Sequence, residues 1–89
     1  MSERQRLDVW LHRARIFKTR SLAERAVEEG AVRLARAGEV RRVEKPGEPV
    51  GAGDALLVAA PQGLRSLRVR ALGPRRGPPA EARMLYEEP

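Results

Sequence analysis

The chain has no cysteine. That excludes disulfides and thiolate-held metals from any account of its stability or chemistry. Its one histidine, His12, offers no imidazole cluster for zinc. There is one Trp, one Tyr and one Phe. No apolar run approaches the ~20 residues of a membrane-spanning helix. The N-terminal MSERQR is too polar for a signal peptide, so a cytoplasmic protein is expected. Asparagine is missing altogether, which fits either a GC-rich genome or a thermophile's avoidance of labile residues.

What the chain has is arginine. Its 89 residues carry 18 Lys and Arg against 12 Asp and Glu, a net charge of +6. Residues 1–45 hold twelve cations and seven carboxylates, residues 46–89 six and five. Such an excess in one half suggests a side that faces a polyanion. Sixteen of the cations are Arg, whose planar fork suits bidentate phosphate contacts. The length fits one small domain with a modest core.

Arg6 to Leu34 organises the chain. Leu7, Trp10, Leu11 and Ala14 recur at i, i+3, i+4 and i+7, one face of a helix. Ser2-Glu3-Arg4-Gln5 has the form of a capping box, so the helix is expected to begin near Ser2 and run to about Ala14. A bend at Ile16 and Phe17 follows. Leu22, Ala23, Ala26 and Val27 mark a second helix, capped by Thr19 or Ser21 and ended at Gly30. Arg13, Arg15, Lys18 and Arg20 lie between the two apolar faces.

After Gly30 the period becomes two. Val32 and Leu34, Val40 to Glu44, Ala55 to Ala60, and Leu67, Val69 and Ala71 read as about four antiparallel strands. Turns fall at Arg36 to Glu39, Gly51 to Asp54 and Pro61 to Gly63. The expected core holds Leu7, Trp10, Leu11, Leu22, Val27, Val32, Leu56, Val58 and Val69. Residues 73–79 are a linker by composition, and Ala80 to Tyr86 reads as a short helix started by Pro79. Leu85 and Tyr86 are expected to pack back on the domain.

Arg6-Leu7-Asp8, Lys18-Thr19-Arg20-Ser21-Leu22-Ala23, Gly30-Ala31-Val32, Lys45-Pro46-Gly47 and Gly53-Asp54-Ala55-Leu56 follow one another in order. This succession resembles the S4 RNA-binding domain over roughly residues 6–60. Arg70-Ala71-Leu72, Arg75-Arg76, Glu81-Ala82 and Leu85-Tyr86-Glu87-Glu88 resemble the C-terminal end of the ribosome-associated heat-shock S4 proteins, the heat-shock protein 15 type. The resemblance implies an α+β fold of the αL type, two N-terminal helices packed on a small antiparallel sheet. Residues 1–72 would be the S4 domain, and 73–89 a linker and short C-terminal segment. It implies binding to ribosomal RNA of the large ribosomal subunit, in recycling or rescue of stalled subunits that carry peptidyl-tRNA. Carried over by position, the RNA-facing set is Arg6, Arg15, Lys18, Thr19, Arg20, Arg33 and Lys45. One departure is the stretch from Ala35 to Arg42, longer than the family's turn and without its Asn, so an extended hairpin tip is expected.

The residues themselves suit phosphate binding better than catalysis. His12, flanked on its helix by Val9 and Arg13, reads as an exposed or half-buried helix residue and not as a base. Gly51-Ala52-Gly53 is not followed by the Gly-Lys-Ser/Thr of a phosphate loop. Asp8 is expected to hold a neighbouring arginine, Arg6 or Arg15. Trp10 and Tyr86 can stack on bases, although Trp10 lies on the apolar face. Arg20 begins a helix, where a cation gains nothing from the macrodipole, so its presence points to an external anion. The expectation is a monomeric, non-enzymatic RNA-binding protein with no cofactor, metal, small-molecule substrate or membrane partner. The competing reading is a basic module that binds an acidic protein.

Overall fold

A computed structural model of the chain describes residues 3–89. The apolar stripe of the first helix is realised in α1 (Leu7–Arg13), with Ala14 as its C-cap; Leu7, Trp10, Leu11 and Ala14 are all buried. The helix starts later than the capping-box pattern suggests. Ser2 lies outside the described residues, and Gln5–Arg6 form a short strand, β1, paired with β4 (Pro49–Val50). The next two N–H groups are claimed by the same loop: Leu7 donates to Glu48 O at 2.9 Å and Asp8 to Pro46 O at 3.0 Å. A helix N-terminus needs such acceptors, and here main-chain carbonyls replace a side-chain cap.

Helix α2 (Arg20–Glu28) is capped by Thr19, whose hydroxyl accepts from Leu22 N–H at 3.1 Å. Ser21 lies inside the helix and does not cap it. Ala23, Ala26 and Val27 face the core, but Leu22 does not: it is 42% exposed. It sits one position off the buried stripe, about 100° around the helix from Ala23. Gly30, at φ +83°, ends the helix with Ala31 N–H donating to Ala26 O.

The chain then builds β2 (Val32–Arg36), β3 (Glu39–Arg42), β5 (Ala55–Ala60) and β6 (Gly63–Val69). With β7 (Tyr86–Glu87) they form a five-stranded antiparallel sheet in the order β3-β2-β5-β6-β7. Val32 opposes Val58, and Leu34, Leu56 and Leu67 lie in register across three strands. These buried residues face the helices in one core, because strand side chains alternate between faces. The result is an α+β fold with helices on one face of an antiparallel sheet. The β2–β3 hairpin closes through Ala37 and Gly38 at φ +52° and +82°. Such a turn favours Asn or Gly at its first position, so Ala37 carries a steric cost there.

The C-terminal segment joins the sheet. Helix α3 (Pro79–Ala82) lasts one turn, a 3-10 turn follows at Arg83–Leu85, and Tyr86 is extended and not helical. Leu85 is buried, and Tyr86 meets Trp10 edge-on with ring centroids 6.4 Å apart. Trp10 belongs to the core, with its indole N–H donating to Ala71 O at 2.9 Å. No helix among the described residues is long and apolar enough to cross a membrane.

This packing predicts that Leu85→Ala destabilises the protein by about 2–3 kcal/mol and lowers its melting temperature by roughly 10 °C. Deleting residues 80–89 should cost more. Thermal unfolding checks both, and an unchanged melting temperature would contradict the docking of β7.

Candidate nucleic-acid interface

The site is organised by a carboxylate with no exposure to solvent. Asp8 is the second residue of α1, and its side chain is fully buried. Oδ1 accepts from Arg6 Nε at 3.0 Å and from Val9 N–H at 2.8 Å. Oδ2 accepts from Arg6 Nη2 at 2.9 Å and Arg20 Nε at 3.3 Å. Burial alone would raise the Asp8 carboxyl. The Arg6 hydrogen bonds, the Val9 N–H and the charges of Arg6 and Arg20 outweigh it and hold the group below its ordinary value of 3.8. Asp8 therefore stays ionised and fixes two guanidinium groups, one from the start of each helix.

Arg20 thus has a partner within the fold, and Glu24 lies a further 3.7 Å from its Nε. The expectation that an external anion explains its position more easily than folding does is corrected: a buried carboxylate on α1 compensates it within the fold. Both arginines are about half exposed. Arg20 commits Nε, leaving both Nη groups without a hydrogen-bonded protein acceptor among the described residues. Arg6 keeps Nη1 in the same way.

Arg15 is held differently. Its φ is +60°, left-handed. Arg15 N–H donates to His12 O and Ile16 N–H to Leu11 O, closing α1 with the motif that Gly30 closes on α2. An L-residue costs about 1–2 kcal/mol there. The side chain reaches the C-terminal segment, where Nε donates to Gly77 O at 2.7 Å. Asp8 therefore holds Arg6 and Arg20, and not Arg15.

Lys18 and Thr19 are exposed on the bend that follows. Lys45 is exposed at the head of the loop whose Pro46 and Glu48 carbonyls dock on α1. Arg6 lies over Gly47 in that loop, where a Cβ would come within 3.4 Å of Nη1. Arg6, Arg20 and Lys45 thus gather at the N-terminal end of α1, with Arg15, Lys18 and Thr19 along the connection to α2. Arg33 stands apart. Val32 and Leu34 beside it are buried, while its cross-strand neighbours Arg42 and Leu57 are exposed. It occupies the sheet face turned away from the helices.

Two further arginines border the site and were not among the residues expected to face RNA. Arg13 Nη1 donates to Gly73 O at 2.7 Å, and Arg76 Nε to His12 O at 3.1 Å. Their signature is visible at His12, whose imidazole is pushed below 6.5 by burial and by the charges of Arg76, Arg13, Arg20 and Arg15. Sequence spacing places Arg13 on α1 but gives no sign that residues 73–77 return to it. The second buried carboxylate, Asp54, serves the hairpin: it accepts two hydrogen bonds from Arg36 at 3.0 and 2.8 Å and one from Gly51 N–H.

Comparison with known proteins agrees with this architecture. The family model described as S4 domain matches residues 5–56. A heat shock protein 15 homolog of Aeromonas salmonicida is 40% identical over 83 residues, and heat shock protein 15 of Escherichia coli K12 is 36% identical over the same number. Each alignment covers 93% of this chain, and the chain spans 59% of the length of these curated relatives. A solved structure titled as the trimeric structure of Vibrio cholerae heat shock protein 15 superposes with a TM-score of 0.83 at 33% identity. That match covers 98% of this chain and 83% of the other.

The depressed Asp8 value has a signed consequence. A carboxyl whose folded value lies below its unfolded one stabilises above the unfolded value and loses that contribution as pH falls through the folded value. Asp8→Asn should be less stable than the parent by about 1–3 kcal/mol at pH 7, and the gap should narrow below about pH 4. Urea unfolding at pH 7 and in acid checks this. A gap that ignores pH would contradict an ionised Asp8 anchor.

Proposed function

The chain belongs to the S4 domain family, and on that footing we propose that it binds structured RNA along the α1–α2 edge. The observation that carries the reading is the buried Asp8 carboxylate holding Arg6 and Arg20 with N–H donors still unclaimed. The buried Asp8 ties the two helix starts together and at the same time holds two half-exposed guanidinium groups side by side, as a phosphate-binding edge requires. Lys45, Lys18 and Arg15 extend the row, and the Thr19 hydroxyl keeps its own proton to donate while it caps α2. A-form RNA hides its major-groove base edges, so phosphate and shape contacts dominate such a surface. Each phosphate neutralised releases counterions.

The target is ribosomal RNA of the large ribosomal subunit, with rescue of stalled subunits carrying peptidyl-tRNA as the cellular role and the cytoplasm as its setting. The family and the heat shock protein 15 relatives support this reading. It is a binding function, with no chemical step assigned to any residue. One chain supplies every residue of the α1–α2 edge, so a monomer suffices for docking; the trimer is named for the Vibrio protein.

Sucrose-gradient sedimentation with separated ribosomal subunits tests the proposal. The protein should travel with large subunits, and log affinity should fall against log salt with a slope of about −3 to −5, as for four to six phosphate contacts. Absence from the large-subunit fractions, or a slope near zero, would contradict it. The second result would favour an acidic protein partner.

A further inference from the structure

Residues 73–77, Gly-Pro-Arg-Arg-Gly, have the composition of a linker but are tied down along the end of α1. Gly73 O accepts from Arg13 Nη1 at 2.7 Å and from Gln5 Nε2 at 3.1 Å. Gly77 O accepts from Arg15 Nε, and Arg76 Nε donates to His12 O. Gly73 is buried, and a Cβ there would come within 2.9 Å of Leu85 Cδ1 and 3.3 Å of Arg13 Cβ. The strap is therefore an ordered ridge beside the helix pair, and it lies beyond the residues matched by the S4 family model, 5–56.

Three arginines converge where the strap meets α1: Arg13, Arg15 and Arg76. Each has one N–H bonded to a main-chain carbonyl, and none has a carboxylate partner among the described residues. Two other arginines of the C-terminal half have carboxylate partners. Arg75 pairs with Glu81 at 3.0 Å, and Arg65 with Glu88 at 2.8 Å. A cation at a helix C-terminus is favoured by the macrodipole, which explains one guanidinium at His12 O. It does not explain three that repel one another around a half-buried histidine. Nor does it explain why Arg15 occupies a left-handed position that α2 fills with Gly30. Glycine would relieve the backbone there but could not reach Gly77 O, so the side chain is what the position retains, and its Nη groups stay without a protein acceptor among the described residues.

We propose that Arg13, Arg15 and Arg76 form a second phosphate subsite at the C-terminal end of α1, with the strap as part of the RNA-binding surface. The Asp8-anchored pair takes one stretch of RNA backbone at the N-terminal end of α1. The strap subsite takes phosphodiester groups at the other end, about 10 Å away by the rise of a seven-residue helix. The inference rests on the RNA-binding reading above and enlarges its footprint.

The test is anisotropy titration of a fluorescein-labelled RNA stem-loop over a potassium chloride series, with the full chain. Arg76→Gln removes the charge but keeps an N–H that can reach His12 O. It should weaken binding roughly 3- to 10-fold and reduce the steepness of the salt slope by about 0.7–0.9, the loss of one phosphate contact. Arg76→Ala should do the same, and Arg83→Gln, an exposed arginine outside the strap, should keep the parent slope. Melting temperatures measured alongside separate a folding defect from a lost contact. If Arg76→Gln keeps the parent's slope, the subsite is overturned while the RNA reading stands, whatever its affinity. If the parent itself has a slope near zero, the RNA reading falls and the subsite falls with it.

Discussion

A buried carboxylate must be compensated, and the way Asp8 is compensated sets the geometry of the surface around it. Leaving such a group unpaired would cost several kcal/mol. The fold meets that demand with a cation from the strand before α1 and a cation from the first turn of α2. The same interaction thus ties the two helix starts together and holds two half-exposed guanidinium groups in place. Because Asp8 stands in the first turn of α1, its charge also suits the positive end of that helix. One residue serves helix start, helix pairing and cation placement, so the cationic row follows from packing and not from charge count alone.

The other end of the row depends on the C-terminal segment. Arg15, Arg13 and Arg76 owe their placement to main-chain carbonyls of residues 73–77 and of His12. Those residues are in turn held by Leu85 in the core and by β7 on the sheet edge. Stability of the tail and geometry of the surface are coupled through this strap. Arg65, which binds Glu88 at 2.9 and 2.8 Å and the Tyr86 hydroxyl at 3.2 Å, closes the same segment from the sheet side.

Much of this was legible from the residues. The 3.6 and 2.0 periods locate both helices and strands β2, β5 and β6, because each buries one face against the same core, whereas β3 is exposed along its whole length and pairs only with β2. The signals that failed were tertiary ones. Asp8 and Arg15 are seven apart, a spacing that puts them on one helical face. Yet Gly77 claims Arg15, and α2 brings Arg20 to Asp8 instead. The Ser2 to Gln5 pattern looked like a cap, but the 46–50 loop supplies the acceptors at the actual helix start. Leu22 has the hydrophobicity of a core residue, but the small residues Ala23 and Ala26 form the buried face with Val27, and Leu22 stays 42% exposed. Gly and Pro fit the irregular course of residues 73–78, with Pro79 already in α3, but composition carries no information about which carbonyls the arginines would find. Arg33 shows the converse: its place in the family pattern gives the position, and strand alternation decides the face.

The most direct test replaces one atom group. Asp8→Asn removes a negative charge from the middle of a surface read as binding a polyanion. Bulk electrostatics alone would then raise RNA affinity. If the carboxylate acts by holding Arg6 and Arg20 in place, affinity for RNA should instead fall, by roughly 3- to 10-fold, about 0.7–1.4 kcal/mol. It should do so at a temperature where the variant remains folded by circular dichroism. Unchanged or tighter binding by folded Asp8→Asn would contradict the central role given to this buried pair.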